Sequence, residues 1–224
     1  FHLLGAAVDT LLDKHLVERI ESQLLLFDLP GPRPMPRPEW LTVHPRLFMT
    51  ISAAQGAALP PGPAARKALV ENWSPRREAE AAQLIADAYR GHIDSRVNDQ
   101  YASPAGARRF LYNVVHYPGC GRFFAPASFV ALDAWTGRAC GVSLASLLSP
   151  SSGHITQVCV APSLRGQGLG FELIRRSLIA FSEAGLRQVS LTVTSANHPA
   201  VRLYERMGFS AVRRRCSRMA SLSF

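Results

Sequence analysis

The spacing of apolar positions divides the chain at about residue 69. Before it, apolar residues recur at helical spacing from Val8 to Phe27, which predicts an amphipathic helix over residues 8–29. Five prolines between residues 30 and 38 exclude helix and central strand there, and indicate an extended connector. Residues 39–68 are ambiguous, with 47–51 as a candidate strand. We therefore expect residues 1–68 to form an N-terminal, partly helical extension.

From residue 69 onward the pattern becomes regular. Helix-start signals of the Ser-Pro type at Ser74 and Ser103 place a hydroxyl cap before a proline in the first turn. The predicted strands are 69–73, 128–132, 141–148, 155–160, 188–194 and 209–212, and the predicted helices are 74–90, 104–117, 168–184 and 199–207. This order combines a hairpin at Thr136–Gly137 with crossover connections. It predicts a domain over residues 69–224 of the α/β class (α+β type), with a mixed, mostly antiparallel sheet flanked by helices.

Composition narrows the class of protein. The 224 residues are 47% hydrophobic and 18% charged, which is typical of a globular chain. No apolar run approaches the roughly 20 residues that span a bilayer, and no signal peptide is evident, so no membrane partner is expected. The four cysteines lie far apart without a C-x-x-C pair, which indicates neither zinc nor disulfides and favours a reducing, cytoplasmic setting.

The chain is basic, with a formal net charge of +9 carried almost entirely by arginine. Such a balance suits an anionic partner such as nucleic acid, acidic lipid or a polyphosphate cofactor. However, the arginines are scattered, and only Arg213–Arg215 forms a run. No recognised nucleic-acid motif accompanies the charge, so we expect no nucleic-acid partner.

A glycine-rich turn carries the first chemical signal. An apolar strand ends at Pro162, and Gly166, Gly168 and Gly170 follow as the next helix opens. Glycines allow the backbone to approach a bulky anion, and the free N–H groups of a helix start point at it. The turn lacks the P-loop lysine and the dinucleotide-binding spacing. Alone, a glycine-rich turn of this kind more often only makes a tight connection between a strand and a helix.

A second segment makes the first one specific. Together the two segments resemble the GCN5-related N-acetyltransferase (GNAT) superfamily. The first signature of that family is Q/R-x-x-G-x-G/A after a strand that ends in V-x-P. It is matched by Val160, Pro162, Arg165, Gly168 and Gly170. The family's second signature, N-x-x-A-x-x-L-Y-x-x-x-G-F, is matched by Asn197, Ala200, Leu203, Tyr204, Gly208 and Phe209. The motifs cover about residues 154–212, and the strand order extends the likeness back to about residue 69.

The resemblance implies a cofactor, acetyl-CoA or another acyl-CoA, and its binding residues. Backbone groups of Val158 and Val160 are expected to pair with the pantetheine arm, and Asn197 to hydrogen-bond near it. The two strands around this site splay apart in the family and leave room for the thioester. The implied cofactor-binding residues are Val158, Cys159, Val160, Arg165, Gly166, Gln167, Gly168, Leu169, Gly170, Asn197 and Tyr204.

The resemblance also implies catalytic residues. Tyr204 matches the position that often protonates the departing thiolate, although a tyrosine simply packed beside the cofactor would look the same. His154 lies six residues before Val160, where the histone-acetylating branch carries a glutamate base. By strand alternation it shares a face with Thr156, Val158 and Val160, and imidazole can accept a proton near pH 7. The alternatives are a histidine that only ends a hairpin loop, and a base made of water molecules.

The acceptor side is less specific. The polar loop 91–101 corresponds to a region that walls the acceptor site in the family. Asp94 and Asp99 are candidates to attract a cationic amine and Tyr101 to pack on it, although a solvated polar loop is an equal alternative. Cys159 has the neighbours of a core residue rather than of a nucleophile, and no metal site is expected.

The leading interpretation is an N-acetyltransferase that acts on a primary amine by direct attack in a ternary complex. The acceptor is an amine-bearing small molecule or peptide. One alternative is transfer of another acyl group or to an O-acceptor, and another is a non-catalytic acyl-CoA sensor. Only about 16 residues follow Gly208, so the closing edge of the sheet is expected to be covered by the N-terminal extension or by a second subunit in a homodimer.

Overall fold

The chain folds around a single twisted sheet. The computed structural model describes residues 10, 14, 19–22, 41–66, 69–119, 121–212 and 217–223. Its strands are β1 (Arg19–Ser22), β2 (Leu41–Ser52), β3 (Leu69–Asn72), β4 (Arg122–Phe123), β5 (Phe129–Leu132), β6 (Ala139–Ser149), β7 (Ser152–Val160), β8 (Gln188–Thr194), β9 (Ser210–Ala211) and β10 (Ser217–Ser223). Its helices are α1 (Ala53–Ala57), α2 (Glu78–Tyr89), α3 (Pro104–His116), α4 (Leu169–Glu183) and α5 (His198–Arg206).

The order of strands across the sheet is β1-β10-β2-β8-β7-β6-β5-β3. Among the described residues, β7 and β8 form the one parallel pair and every other pair is antiparallel. This confirms the predicted mixed, mostly antiparallel sheet flanked by helices.

The two Ser-Pro helix starts behave as predicted. The Ser103 hydroxyl accepts from the Gly106 amide at 3.1 Å, and α3 begins at Pro104. The Ser74 hydroxyl accepts from the Arg76 amide, after which a short 3-10 turn leads into α2. Each cap satisfies an amide that the first turn of a helix leaves without a partner.

Helices cover both faces of the sheet. One core packs α4 against β2, β7 and β8 and is centred on Phe181, Leu178 and Ile174, all completely buried. The second packs α2 and α3 on the opposite face, against Val142 and Leu144 of β6. A functional cleft on this sheet is therefore enclosed from the α4 side and from the α2–α3 side.

The N-terminal segment differs from expectation. The helix predicted over residues 8–29 is wrong at Arg19–Ser22, which forms strand β1 against β10. Thr10 and Lys14 are helical, while the rest of that range and the proline-rich connector lie outside the described residues. The candidate strand at 47–51 is confirmed inside the longer β2, which lies between β8 and both C-terminal strands. The sheet therefore includes strands that precede residue 69, where the domain was expected to begin.

The edge of the sheet next to the C-terminal strands is covered by the N-terminal extension, which is one of the two arrangements expected. Strands β9 and β10 pair with β2 rather than with each other, and β1 pairs with the outer side of β10. Elements from the beginning of the chain therefore complete the sheet that the C-terminal residues leave unfinished. Within the described residues, no helix combines the length and the apolar character needed to cross a membrane.

Candidate active site

The site begins where β7 and β8 separate. The two strands pair only over Ser152–Ile155 and Gln188–Leu191. On the other side of β7, Leu144 pairs with Gln157 and Ala145 with Ile155, so Thr156 is an extra, bulged residue. A bulge bends and twists a strand, and this one lies directly after the last paired residue. The predicted splay of the two strands is therefore present, and its position coincides with the bulge.

The bulge also changes the alternation along β7. Odd-numbered residues face α4 before it, and even-numbered residues face α4 after it. Before it, a Cβ on Gly153 would lie 2.6 Å from the Phe181 ring, on the α4 side. After it, Cys159 packs into the α2–α3 core, while Val158 and Val160 pack on the α4 side. The expectation that His154 shares a face with Val158 and Val160 is wrong, because strict alternation does not continue through a bulge.

A cavity of about 740 Å³ fills the opening between the strands. One end lies at the glycine turn that starts α4, and the other at the loop between α2 and α3. The predicted residues that line it are Asp94, Tyr101, Val158, Cys159, Val160, Arg165, Gly166, Gly168, Leu169, Gly170, Asn197 and Tyr204. Among the predicted residues, His154 and Gln167 are not part of this lining, and the side chain of Asp99 lies outside what the structure describes.

The glycine turn has the geometry of an anion cradle. Gly166 and Gly168 have φ angles of +75° and +85°, a region that other residues rarely adopt. Helix α4 starts at Leu169, and its first helical bond runs from the Glu172 amide to the Gly168 carbonyl. The preceding amides have no acceptor within the helix and face the turn, together with the positive end of the helix dipole. These residues therefore fit a pyrophosphate.

The backbone of β7 fits an extended arm beside it. The Ala161 amide donates to the Cys140 carbonyl across the β6–β7 pair. Because backbone groups alternate between the two sides of an antiparallel strand, those of Val158 and Val160 point away from β6, into the cleft. Strand β8 does not pair with β7 at these positions. The pairing groups expected for the pantetheine arm are thus directed at the cavity.

Two of the expected cofactor residues make hydrogen bonds to backbone carbonyls of the protein. The Arg165 guanidinium donates to the Ala88 carbonyl at the C-terminal end of α2, where a helix dipole favours a cation. Arg165 also lines the cavity, together with Gly166 and Gly168 of the turn. The Gln167 side chain bonds back to the Ser163 carbonyl at 3.1 Å and is exposed.

Tyr204 lies in the cavity wall on α5. It is 7% exposed, and its ring packs edge-on against Phe209. Burial raises the pKa of Tyr204, the negative charge of Asp94 raises it further, and Arg46 partly offsets both. The phenol therefore keeps its proton at neutral pH, as a general acid must before it acts.

Asp94 joins the acceptor loop to the end of β8. It belongs to a 3-10 helix, Ile93–Arg96, and its carboxylate accepts a hydrogen bond from the Thr194 hydroxyl. The Asn197 amide nitrogen lies 3.5 Å from the other carboxylate oxygen, while Asn197 Oδ1 accepts from the Ala200 amide and caps α5. The His92 Nδ1 atom lies 3.5 Å from Asp94 as well. One carboxylate thus connects parts of the chain about 100 residues apart.

A hydrogen-bonded trio forms the wall next to Asp94. Gln157 donates to the Tyr89 hydroxyl at 2.9 Å and accepts from the Tyr101 hydroxyl at 3.3 Å. The two tyrosine rings stack with centroids 4.4 Å apart. Burial raises the pKa of Tyr89 well above its ordinary value, so this wall is polar but uncharged. Tyr89 and Gln157 were not predicted, although a glutamine within an apolar strand is a signal that could have identified Gln157.

His154 lies on the sheet, away from the cavity. Its Nδ1 atom lies 2.9 Å from the Ser190 hydroxyl, and its ring stacks on Phe48 with centroids 6.4 Å apart. Burial lowers the pKa of His154 to about 4, with a smaller contribution from Arg46. The imidazole is therefore neutral at pH 7, but it does not line the space in which an amine would react.

Cys159 reaches the cavity wall from the α2–α3 core. Burial raises the pKa of Cys159 to about 12, and Arg165 and Gln157 offset only part of this. The side chain is thus a thiol at neutral pH rather than the thiolate that nucleophilic catalysis requires.

The N-terminal segment contributes two lining residues that sequence patterns did not identify. Arg46 of β2 donates to the Thr192 carbonyl at 3.3 Å, and Pro63 lies against Gly168. Neither belongs to a recognisable motif, and both lie more than 90 residues from the glycine turn. The pairing of β2 with β8 and the contact of Pro63 with Gly168 show that this part of the chain reaches the cleft.

Comparison with known proteins agrees with this geometry. The model of the acetyltransferase (GNAT) family matches residues 84–209, more than half of the chain. A mycothiol acetyltransferase of Actinosynnema mirum is 47% identical over 60 residues, which are 27% of this chain and 20% of that protein. A putative [ribosomal protein bS18]-alanine N-acetyltransferase of Bacillus subtilis is 26% identical over 117 residues, 52% of this chain and 72% of that protein. The chain thus spans only about a fifth of the mycothiol acetyltransferase it matches.

Solved structures share the fold. A tandem GNAT protein from the clavulanic acid biosynthesis pathway superimposes with a TM-score of 0.61 at 16% identity, covering 99% of this chain and 69% of that one. The likeness includes the N-terminal segment, which the family match at residues 84–209 does not reach.

Proposed function

Because the chain belongs to the acetyltransferase (GNAT) family, we propose that it transfers an acetyl group from acetyl-CoA to a primary amine. The observation that carries the proposal is the cleft between β7 and β8, which has the glycine turn at one end and Tyr204 with Asp94 at the other. This arrangement offers one end to a polyphosphate and the other to a reacting group. The names of the curated relatives, which include both a small-molecule and a ribosomal-protein acetyltransferase, support an amine acceptor.

Acetyl-CoA, when bound, supplies the acetyl group as a thioester. The turn at Gly166–Gly170 would hold the pyrophosphate, and the backbone of Val158 and Val160 would align the pantetheine arm along β7. These residues would thereby hold the thioester in the opening between β7 and β8. Holding both reactants in this way lowers the entropic part of the barrier.

Tyr204 acts as the general acid. The amine nitrogen attacks the thioester carbonyl carbon, the carbon–sulfur bond breaks, and the Tyr204 hydroxyl gives its proton to the leaving sulfur. The phenolate then recovers a proton that the amine nitrogen releases as the amide forms. The buried, neutral phenol suits this role because it keeps its proton until a strong base develops next to it.

The acceptor enters on the side of Asp94 and Tyr101. A cationic amine is attracted by the Asp94 carboxylate, and the Tyr101 side chain lines the same space. Water in the cavity takes the proton that makes the amine nucleophilic, since His154 does not line this space. Cys159 takes no covalent part, because its thiol is not ionised.

Thiol release tests the proposal. The protein is mixed with acetyl-CoA and, separately, with a panel of aminoacyl amides, polyamines, amino sugars and peptides with free N-termini. We expect release of CoA that depends on the amine, with a mass gain of one acetyl group on the acceptor. Binding of acetyl-CoA without release from any amine would favour an acyl-CoA sensor, and release only with longer acyl-CoA would favour a different acyl group.

A further inference from the structure

A short segment of the N-terminal region, Leu59–Ala64, lies against the glycine turn, and we call it the strap. Leu59 packs on the core under α4, and Ala64, which is 4% exposed, is buried with Leu169 and Leu173 of the same helix. Between these two anchors the strap contains Pro60, Pro61, Gly62 and Pro63. Three prolines in a row of four fix the backbone, so the strap is held by its own stiffness as well as by its anchors.

The strap fits the turn closely. A Cβ on Gly168 would lie 2.9 Å from the Pro63 ring, and a Cβ on Gly62 would lie 2.7 Å from the Phe171 ring. Pro63, Gly168 and Phe171 all line the cavity, and Pro63 remains exposed to it. Two glycines, one on each side of the contact, are thus required for the strap to approach this closely.

A buried carboxylate holds the strap in place. Glu172, in the first turn of α4, has a side chain that is 0% exposed, and its Oε2 accepts from the Gly62 amide at 3.4 Å. Its oxygens also accept from Arg175 at 2.9 and 3.0 Å and from Arg176 at 3.0 Å. Burial alone raises the pKa of Glu172, but the two arginines outweigh this and lower it, so the carboxylate is ionised. Because the buried carboxylate has so many partners, it holds the Gly62 amide in a defined position against α4.

We propose that the strap Leu59–Ala64 is the outer wall of the acyl-CoA site, where Pro63 contacts the diphosphate end of the ligand and Glu172 is the positioning residue. The proposal rests on the proposed function, since it names a further part of the same site. It adds residues outside the family match at 84–209, and it assigns Glu172 a role through the strap rather than through the ligand.

The test separates the diphosphate end of the ligand from its thioester end. The probes are acetyl-CoA and acetyl-pantetheine, which keeps the thioester arm and lacks the diphosphate and the nucleotide. Gly62→Ala pushes the strap away from Phe171 without changing any charge. Gly119→Ala is the matched control, because a Cβ there meets nothing within 4 Å and its φ is not positive.

We expect Gly62→Ala to raise the Kd for acetyl-CoA about tenfold and to leave the Kd for acetyl-pantetheine within about twofold of wild type, by NMR titration. Glu172→Gln should shift the acetyl-CoA Kd in the same direction, about threefold, because it keeps the shape but loses the two ion pairs. Gly119→Ala should change neither value.

Equal weakening of both probes, or an unchanged acetyl-CoA Kd in Gly62→Ala, would overturn the strap proposal while leaving acyl-CoA binding intact. Failure of the wild-type protein to bind acetyl-CoA would instead overturn the proposed function. If Gly62→Ala lowers the melting temperature too far, Pro63→Ala replaces it. That variant removes the ring that contacts Gly168 and one of the three prolines that fix the backbone, and it must still weaken acetyl-CoA binding selectively, by about threefold, for the proposal to stand.

Discussion

Two regions border the same cleft and are built in different ways. The motif-bearing region from β7 to α5 positions its groups through local geometry: a bulge at Thr156, left-handed glycines at 166 and 168, and the Asn197 cap on α5. The N-terminal segment carries no motif and reaches the cleft only through the pairing of β2 with β8 and the strap on α4. The first region can be recognised in sequence, whereas the second is recognised only once the chain is folded.

Because β2 lies inside the sheet, we expect the N-terminal segment to be essential for stability. Met49 of β2 is 1% exposed in the core under α4, so Met49→Ala should lower the free energy of unfolding by about 3 kcal/mol. Leu69→Ala, on the exposed edge strand β3, should cost less than about 0.5 kcal/mol. Urea unfolding measures both. Equal effects would show that β2 is not part of the core.

The motif-bearing region should control chemistry. Tyr204→Phe removes the proton donor and should lower kcat about a hundredfold, with the KM for acetyl-CoA nearly unchanged. Tyr112→Phe, an exposed tyrosine on α3, is the control in the same thiol-release assay. An unaltered kcat in Tyr204→Phe would exclude the acid role.

The glycine turn should control affinity for the donor. Gly168→Ala places a Cβ at a φ of +85° and 2.9 Å from Pro63, so it should weaken acetyl-CoA binding about tenfold. Gly137→Ala carries a similar backbone strain at φ +65° in a hairpin away from the cleft and separates strain from site effects. Calorimetric titration with acetyl-CoA measures both variants. Equal Kd values for Gly168→Ala and Gly137→Ala would contradict the assignment of the glycine turn to the donor site.

The smallest effect is expected at His154. The pKa of His154 is about 4 in the folded state and near 6.5 in the unfolded state. Between these two pH values the unfolded state binds a proton that the folded state does not. The resulting stability is present above pH 6.5 and is lost as the pH falls towards 4. His154→Gln should flatten this decline in urea midpoints measured from pH 7 to pH 4. Its kcat at pH 7 should stay within about twofold of wild type; a large loss would restore the base role.

Much of the fold was predictable, for physical reasons that particular residues illustrate. Ser103 and Pro104 start α3 where a cap and a fixed φ require it, and the hairpin between β5 and β6 follows from its turn residues. The family and the class of fold were predictable from the glycine turn and the α5 motif, and the family match confirms them.

What could not be predicted depends on distant pairing. Apolar spacing indicated a helix through Arg19–Ser22, yet these residues pair with β10 at the other end of the chain. Alternation placed His154 beside Val158, yet one extra residue at Thr156 reverses the face. Tyr89 and Gln157 meet only because α2 packs across β7. A single sequence carries little information on such contacts, because they are set by tertiary structure.

Calorimetric titration of the wild-type protein with acetyl-CoA is the direct test of whether the cleft between β7 and β8 binds acyl-CoA. We expect saturable binding of one acetyl-CoA per chain with a Kd of about micromolar order, because the glycine turn, the backbone of β7 and the strap all face the same cavity. Absence of any heat of binding at concentrations well above that range would contradict the assignment of this cleft to acyl-CoA.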